Sequence, residues 1–231
     1  MKASAIIVAA GSGRRLGSDR PKAFVELGGR PMLHYAMRAI ASVSGLLEVV
    51  IALPAEMLRE GRSLVSGAGI EIPVKLTAGG VERQDSVRIA LELVSVESDV
   101  VAVHDAARPF AHPKLFEETI RVAHQAGAAI AAIPVSDTLK RTEGGSIVAT
   151  AARAGLYCAQ TPQAFRREIL TRAHREAHYS GIVATDDAEL VERMGLRVAI
   201  VDGSSLNFKI TTRDDLAMAE AAIAAGMLRA G

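Results

Sequence analysis

The stretch Ala5-Ile6-Ile7-Val8-Ala9-Ala10-Gly11-Ser12-Gly13-Arg14-Arg15-Leu16-Gly17, with Pro21-Lys22 close behind, decides the fold. Its apolar half reads as a strand buried on both faces, because β-branched residues fill the middle and no polar residue alternates with them. The strand then breaks into small residues and glycines, where backbone N–H groups can approach a ligand with no Cβ in the way. Two arginines and a lysine follow within one loop. Bare amides and three cations at the carboxyl end of a strand suit a polyphosphate.

Two common nucleotide fingerprints do not match. The dinucleotide motif needs a third glycine where Leu16 stands, and an acidic ribose hook where the chain reads Arg30-Pro31-Met32-Leu33. The P-loop needs Gly-Lys-Ser/Thr, a tripeptide that does not occur. The remaining pattern, Ala-Ala-Gly-x-Gly-x-Arg-Leu-Gly with a downstream Pro-Lys, resembles the nucleotidyltransferase signature of enzymes that activate sugar and alditol phosphates. A plain glycine-rich turn between strand and helix is the structural alternative.

Composition narrows the classes. The 231 residues suffice for one large α/β domain, and 49% of them are hydrophobic without a single Trp. A balance of 27 basic and 26 acidic residues argues against a general nucleic-acid binder or a polybasic membrane protein. The one cysteine, Cys158, excludes an intramolecular disulfide, and its apolar flanks predict an inert buried thiol. No apolar run is long enough to span a bilayer, and the N-terminus lacks the long apolar core of a signal peptide. A soluble cytoplasmic protein is expected.

Strand and helix patterns alternate along the chain. Helical spacing covers Met32 to Ile40, with Pro31 suited to the first turn; a second strand runs from Glu48 to Leu53 and ends at Pro54. A polar, glycine-spotted segment follows, then a strand near Pro73 to Thr77, a helix from Gln84 to Val94 and a strand from Val100 to Val103. Pro113 opens a helix to about Gln125, ahead of a strand from Ile130 to Pro134. Helices near Arg166 to Ala177 and Asp186 to Met194, a strand at Val198 to Val201 and a helix capped by Thr212 and Asp215 complete the pattern. This is an α/β chain with a doubly wound, mostly parallel sheet. Between Asp137 and Gln160 the rhythm breaks: Thr138 to Arg141 and Ser146 to Thr150 flank Glu143-Gly144-Gly145, a hairpin too small for a core of its own. One domain over 1–231, with 137–160 as a projecting arm that needs a partner surface, is the expected organisation.

Three further clusters fall at carboxyl ends of strands, where open α/β sheets bind ligands. Gly79-Gly80-Val81-Glu82-Arg83-Gln84-Asp85-Ser86-Val87 combines close-approach glycines with Asp85 and Ser86, which offer polar groups to a base edge or cap a helix. In His104-Asp105-Ala106-Ala107-Arg108-Pro109, Asp105 suits a hydroxyl or Mg²⁺ and Arg108 a phosphate, unless the two form a structural ion pair. His104 reads as a satisfied structural histidine. Asn207-Phe208-Lys209-Ile210-Thr211 places a cation in an apolar setting.

Together with Pro-Val-Ser-Asp-Thr-Leu-Lys, Thr-Pro-Gln-Ala-Phe and Thr-Asp-Asp-Ala, these motifs occur in an order that resembles the 2-C-methyl-D-erythritol 4-phosphate cytidylyltransferase family over essentially the whole chain. The resemblance implies a Rossmann-like nucleotidyltransferase fold and transfer of CMP from CTP to an alditol phosphate, with Mg²⁺ on the triphosphate. It implies that Ala9, Ala10, Gly11, Gly80 and Ser86 bind the nucleotide, that Arg83 joins the substrate-binding set, and that Arg15 and Lys22 stabilise the reacting triphosphate. Asp105, Arg108, Thr161, Thr185 and Lys209 match substrate positions. Thr138 and Arg153 match residues lent to a neighbouring subunit, so a homodimer is implied. Two departures stand out: Val8 where some relatives carry proline, and Val81 where an acidic residue often follows the two glycines.

A substrate phosphate is largely dianionic at neutral pH, so this chemistry needs positioning and charge stabilisation but no general base. Ribitol 5-phosphate cytidylyltransferase is the nearest alternative; a nucleotide-sensing module and an NAD-dependent oxidoreductase are the alternatives from other classes.

Overall fold

Ile6 and Ile7 point to opposite faces of β1 (Ala3–Val8), yet both are fully buried. Only a strand covered on both sides allows that. The computed structural model of the chain describes residues 1–13 and 16–227. After β1 come a small hairpin, β2 (Glu26–Leu27) and β3 (Arg30–Pro31), then α1 (Met32–Ala41), β4 (Leu46–Leu53), α2 (Leu58–Gly67), β5 (Val74–Ala78) and α3 (Arg83–Leu91). The chain continues through β6 (Val100–Asp105), α4 (Pro113–Ala126), β7 (Ala128–Pro134), β8 (Leu139–Glu143), β9 (Ser146–Ala151) and β10 (Tyr157–Arg166). It ends with α5 (Arg167–Ser180), α6 (Asp187–Arg193), β11 (Ala199–Asp202) and α7 (Arg213–Ala224).

The main sheet has seven strands in the order β11-β7-β10-β6-β1-β4-β5. All run parallel except β10, which is antiparallel to β6 and β7. Two apolar layers cover it. One face packs Ile7, Val49 and Ile51 against Leu33, Phe116 and Ile120 of α1 and α4; the other packs Ile6, Val101 and Val103 against Val87, Leu170 and Val191 of α3, α5 and α6. The chain leaves β1 toward β4 and returns to β6 on its other side. That reversal opens a crevice above β1 and β6, where such sheets bind ligands.

Two elements differ from the sequence expectation. The polar segment after Pro54 is helical: α2 carries Leu64 and Val65 on its inner side, and Gly61 is buried where a Cβ would overlap Leu53. Its glycine marks close helix–sheet contact. The second is β10, for which no strand was expected because Pro162 and the polar Gln160, Thr161 and Gln163 interrupt its apolar pattern. Pro162 falls where pairing with β7 skips from Ala159 to Gln163, so its missing N–H removes no ladder bond. The polar side chains are buried and hydrogen-bonded to the loops beside the crevice.

β8 and β9 form the expected hairpin, with Gly144 and Gly145 at φ 53° and 80° as its two-residue turn requires. Nearly all of it is exposed, including Ile147 and Val148. Cys158, expected to be a buried thiol, is exposed: it pairs with Ile133 at the end of β7, outside the stretch of β10 that pairs with β6.

Candidate active site

A cleft of about 460 Å³ opens over the carboxyl ends of β1 and β6. Ala9, Ala10, Gly11, Ser12 and Gly13 form one wall, Gly80, Val81, Glu82, Arg83 and Ser86 another. Lys22, Asp105 and Lys209 also line it. The cleft thus gathers the glycine-rich loop, the start of α3, the end of β6 and the segment before α7.

Each wall is fixed by hydrogen bonds. Ala9 N–H donates to Ala52 C=O at 2.9 Å, and Lys22 N–H to Gly11 C=O at 3.1 Å, so the loop is pinned at both ends. In the α3 wall, Gly80 N–H donates to Ser86 Oγ at 3.1 Å and Ser86 Oγ donates to Glu82 C=O at 3.2 Å. Asp85 accepts Glu82 N–H at 3.2 Å. These two side chains therefore fasten the turn, and Asp85 does not line the cleft. A Cβ on Gly79 would overlap that of Ala10 and lie 2.7 Å from Ser86 Oγ, so only glycine lets the two walls approach.

The charged floor is a network whose carboxylates are buried and whose cations are half-buried. Asp105 accepts Arg83 Nε at 3.0 Å on one carboxylate oxygen and Lys209 Nζ at 2.6 Å on the other. Arg83 Nη1 reaches Asp187 Oδ2 at 2.7 Å, and His174 Nε2 lies 2.9 Å from Asp187 Oδ1. Burial alone would raise the Asp105 carboxyl, but Arg83 and Lys209 outweigh it and hold it far below the ordinary carboxylate range. Arg83 is held firmly charged: burial opposes its charge, and Asp187 and Asp105 more than compensate.

Behind this floor sits His104, buried against Phe116. Thr161 Oγ1 accepts Asp105 N–H at 3.1 Å and so donates to His104 Nδ1 at 2.9 Å; His104 Nε2–H then donates to Arg108 C=O at 3.1 Å. Burial lowers the His104 pKa to about 4, so the ring is neutral near pH 7 and serves as structure, as expected.

The remaining candidates lie apart from the cleft lining. Arg108 donates Nη1 to Asn207 C=O at 2.7 Å and Nη2 to Ala159 C=O at 3.2 Å, tying the Lys209 segment to β10. Thr161 is buried beneath Asp105, and Thr185 is exposed with its N–H and hydroxyl on Glu189. Thr138 and Arg153 are exposed at the base of the arm, where Arg153 donates to Ser136 C=O. Arg15 lies outside the described residues. Sequence reasoning missed Asp187 and His174; the run Thr-Asp-Asp-Ala carried the first, but only Thr185 was drawn from it.

The described residues do not fit a protein-bound metal. They contain no group of three or more His, Cys, Asp or Glu side chains placed to hold an ion. Asp105, which the sequence reading left between a hydroxyl and Mg²⁺ as partner, has both oxygens on cations.

Comparison with known proteins agrees with this geometry. The family model described as 2-C-methyl-D-erythritol 4-phosphate cytidylyltransferase, IspD, matches residues 3–225. The chain is similar to proteins of that name from Deinococcus radiodurans, 46% identical over 220 residues with 95% of this chain and 89% of the relative covered, and from Bacillus velezensis, 42% identical over 217 residues with 94% and 93% covered. The crystal structure of 2-C-methyl-D-erythritol 4-phosphate cytidylyltransferase from Thermus thermophilus superposes with a TM-score of 0.79 at 37% identity, covering 96% of this chain and 98% of that one. A family match over residues 3–225, with relatives 46% and 42% identical along nearly the whole chain, leads to one conclusion: the chain belongs to the 2-C-methyl-D-erythritol 4-phosphate cytidylyltransferase family.

Proposed function

We propose that this protein transfers CMP from CTP to 2-C-methyl-D-erythritol 4-phosphate, releasing pyrophosphate. The observation that carries the reading is the single cleft in which the Ala9–Gly13 backbone, Lys22 and Lys209 converge on a space about 460 Å³ in volume. An oxygen of the substrate phosphate attacks the α-phosphorus of CTP. The new P–O bond forms as the bond to the β-phosphate breaks, and pyrophosphate leaves with the electron pair. A phosphomonoester with a second pKa of about 6 is already a nucleophile at neutral pH, so no side chain need take a proton. Lys22 and Arg15 offset charge on the triphosphate, and Lys209 holds the attacking phosphate in line. Mg²⁺ would accompany CTP as its counter-ion and would supply charge neutralisation on the triphosphate, beside Lys22 and Arg15. The small wall formed by Ala9, Ala10, Gly80 and Ser86 suits a pyrimidine and crowds a purine, and the amides and hydroxyl there favour the edge of cytosine over uracil.

The arm supports a homodimer. Ile147 and Val148, with Leu156 and Tyr157 at its base, are exposed apolar residues on a hairpin that cannot bury them itself. A second copy would cover them and bring Thr138 and Arg153 to its partner's cleft. The substrates are small, soluble anions, and no helix among the described residues is long and apolar enough to cross a membrane; cytoplasmic action belongs to the same proposal. Phosphorus NMR of a reaction with both substrates tests the transfer: a diphosphate diester accumulates with pyrophosphate if the reading holds, and CTP stays intact if it does not.

A further inference from the structure

Five charged or titratable side chains form one line from the cleft into the protein: Lys209, Asp105, Arg83, Asp187 and His174. They come from five elements, namely the segment before α7, the end of β6 and the starts or bodies of α3, α6 and α5. Asp187 and His174 are each 1% exposed, and neither lines the cleft. They contribute no contact to a ligand there, yet they sit at the far end of the contacts that fix Lys209.

The geometry of Arg83 gives them a task. A guanidinium presents Nε and Nη2 along one edge, the fork that grips a carboxylate with two parallel bonds. Arg83 gives Asp105 only Nε, at 3.0 Å, and its buried Nη2 has no hydrogen-bond partner among the described residues. What holds the group in this one-pronged posture is Nη1, bound to Asp187 at 2.7 Å. Asp187 is itself fixed, by His174 at 2.9 Å and by Gln163 Oε1, which accepts its backbone N–H at 3.2 Å. With that anchor gone, the fork of Arg83 is released to close on Asp105, and Nη2 then competes with Lys209 for the second oxygen. Lys209 would then share the oxygen that sets its ammonium at 2.6 Å, and its position would shift.

We infer that Asp187, steadied by His174, is a positioning residue: it restrains Arg83 so that one oxygen of Asp105 stays free to place Lys209 for the incoming alditol phosphate. This rests on the function proposed above. It predicts an effect on the alditol phosphate that passes through Lys209 and spares CTP. The test is calorimetric binding of 2-C-methyl-D-erythritol 4-phosphate at saturating Mg²⁺ and a CTP analogue with a methylene between the α- and β-phosphates. Asp187→Asn should weaken alditol phosphate binding about tenfold while the analogue's own affinity changes by less than about twofold. In a Lys209→Ala background the same substitution should cost less than about twofold, since side chains in one network are coupled. Equal losses in both backgrounds, or no loss in either, would overturn the inference. Should Asp187→Asn fail to fold, His174→Leu, which removes only the bond that steadies Asp187, must show the same dependence on Lys209 at smaller size. Failure of the wild-type protein to bind the alditol phosphate would instead count against the function itself.

Discussion

Lys209 Nζ and Asp105 Oδ2 stand 2.6 Å apart at the cleft, although 104 residues separate them in the chain. The contact joins the end of β6 to the segment before α7, and Ile210 N–H, bonded to Ala107 C=O at 2.9 Å, locks the same junction. Charge at this site is thus part of the fold as well as of the chemistry.

Asp105→Asn should therefore lower stability and activity together. Lys209 is 38% exposed and can turn to water, and Arg83 keeps Asp187. The loss should be about 2–3 kcal/mol, the scale of a hydrogen bond to a charged group, and less than for stranding a fully buried ion. Urea unfolding measures it. An unchanged midpoint would show that the network carries no stability.

Lys22 separates binding from catalysis. If it acts on charge that develops during transfer, Lys22→Ala should reduce kcat by about a hundredfold with a much smaller change in KM for CTP. The same expectation holds for Arg15. A large rise in KM at constant kcat would make either one a ground-state binding residue.

His104 gives the protein an acid-side weakness. Its folded-state pKa is lowered to about 4 by burial, against 6.5 for a free histidine. Above pH 6.5 its contribution is fully present. As pH falls from there to about 4 the unfolded chain takes up a proton that the folded chain refuses, removing up to about 3 kcal/mol. Unfolding midpoints at pH 7 and 4.5 should differ more for the wild type than for His104→Gln. Equal differences would place the acid sensitivity elsewhere.

How much of this was legible in the sequence varies with the kind of signal. The β1 run, the glycine loop and Lys22 announced themselves, because apolar runs and close-approach glycines are local signals. The hairpin was legible for the same reason, since Gly144 and Gly145 can take positive φ. β10 was not: Gln160, Thr161 and Gln163 look like loop residues until their partners, Ser204, Asp105 and Asp187, are brought beside them. Asp187 and Arg83 are likewise 104 residues apart, and only the winding of α5 and α6 behind α3 brings them together. Cys158 was misread because its apolar neighbours suggested a core, where the structure has the exposed base of the arm.

Complementation tests the proposed exchange of arms. Lys22→Ala and Arg153→Ala should each be nearly inactive alone. If Arg153 serves the partner's cleft, a mixed dimer has one site with both lesions and one with neither. Random pairing makes about half the dimers mixed, so refolding the two together should restore roughly a quarter of wild-type activity. A mixture as inactive as its parents, or a monomer by sedimentation, would remove the arm from catalysis.

The most direct test of the account is the initial rate of pyrophosphate release from CTP and Mg²⁺ with 2-C-methyl-D-erythritol 4-phosphate and with ribitol 5-phosphate, measured side by side. The account predicts rapid release with the first, little with the second, and none when either CTP or the alditol phosphate is omitted. Faster release with ribitol 5-phosphate, or release that needs no alditol phosphate, would contradict it.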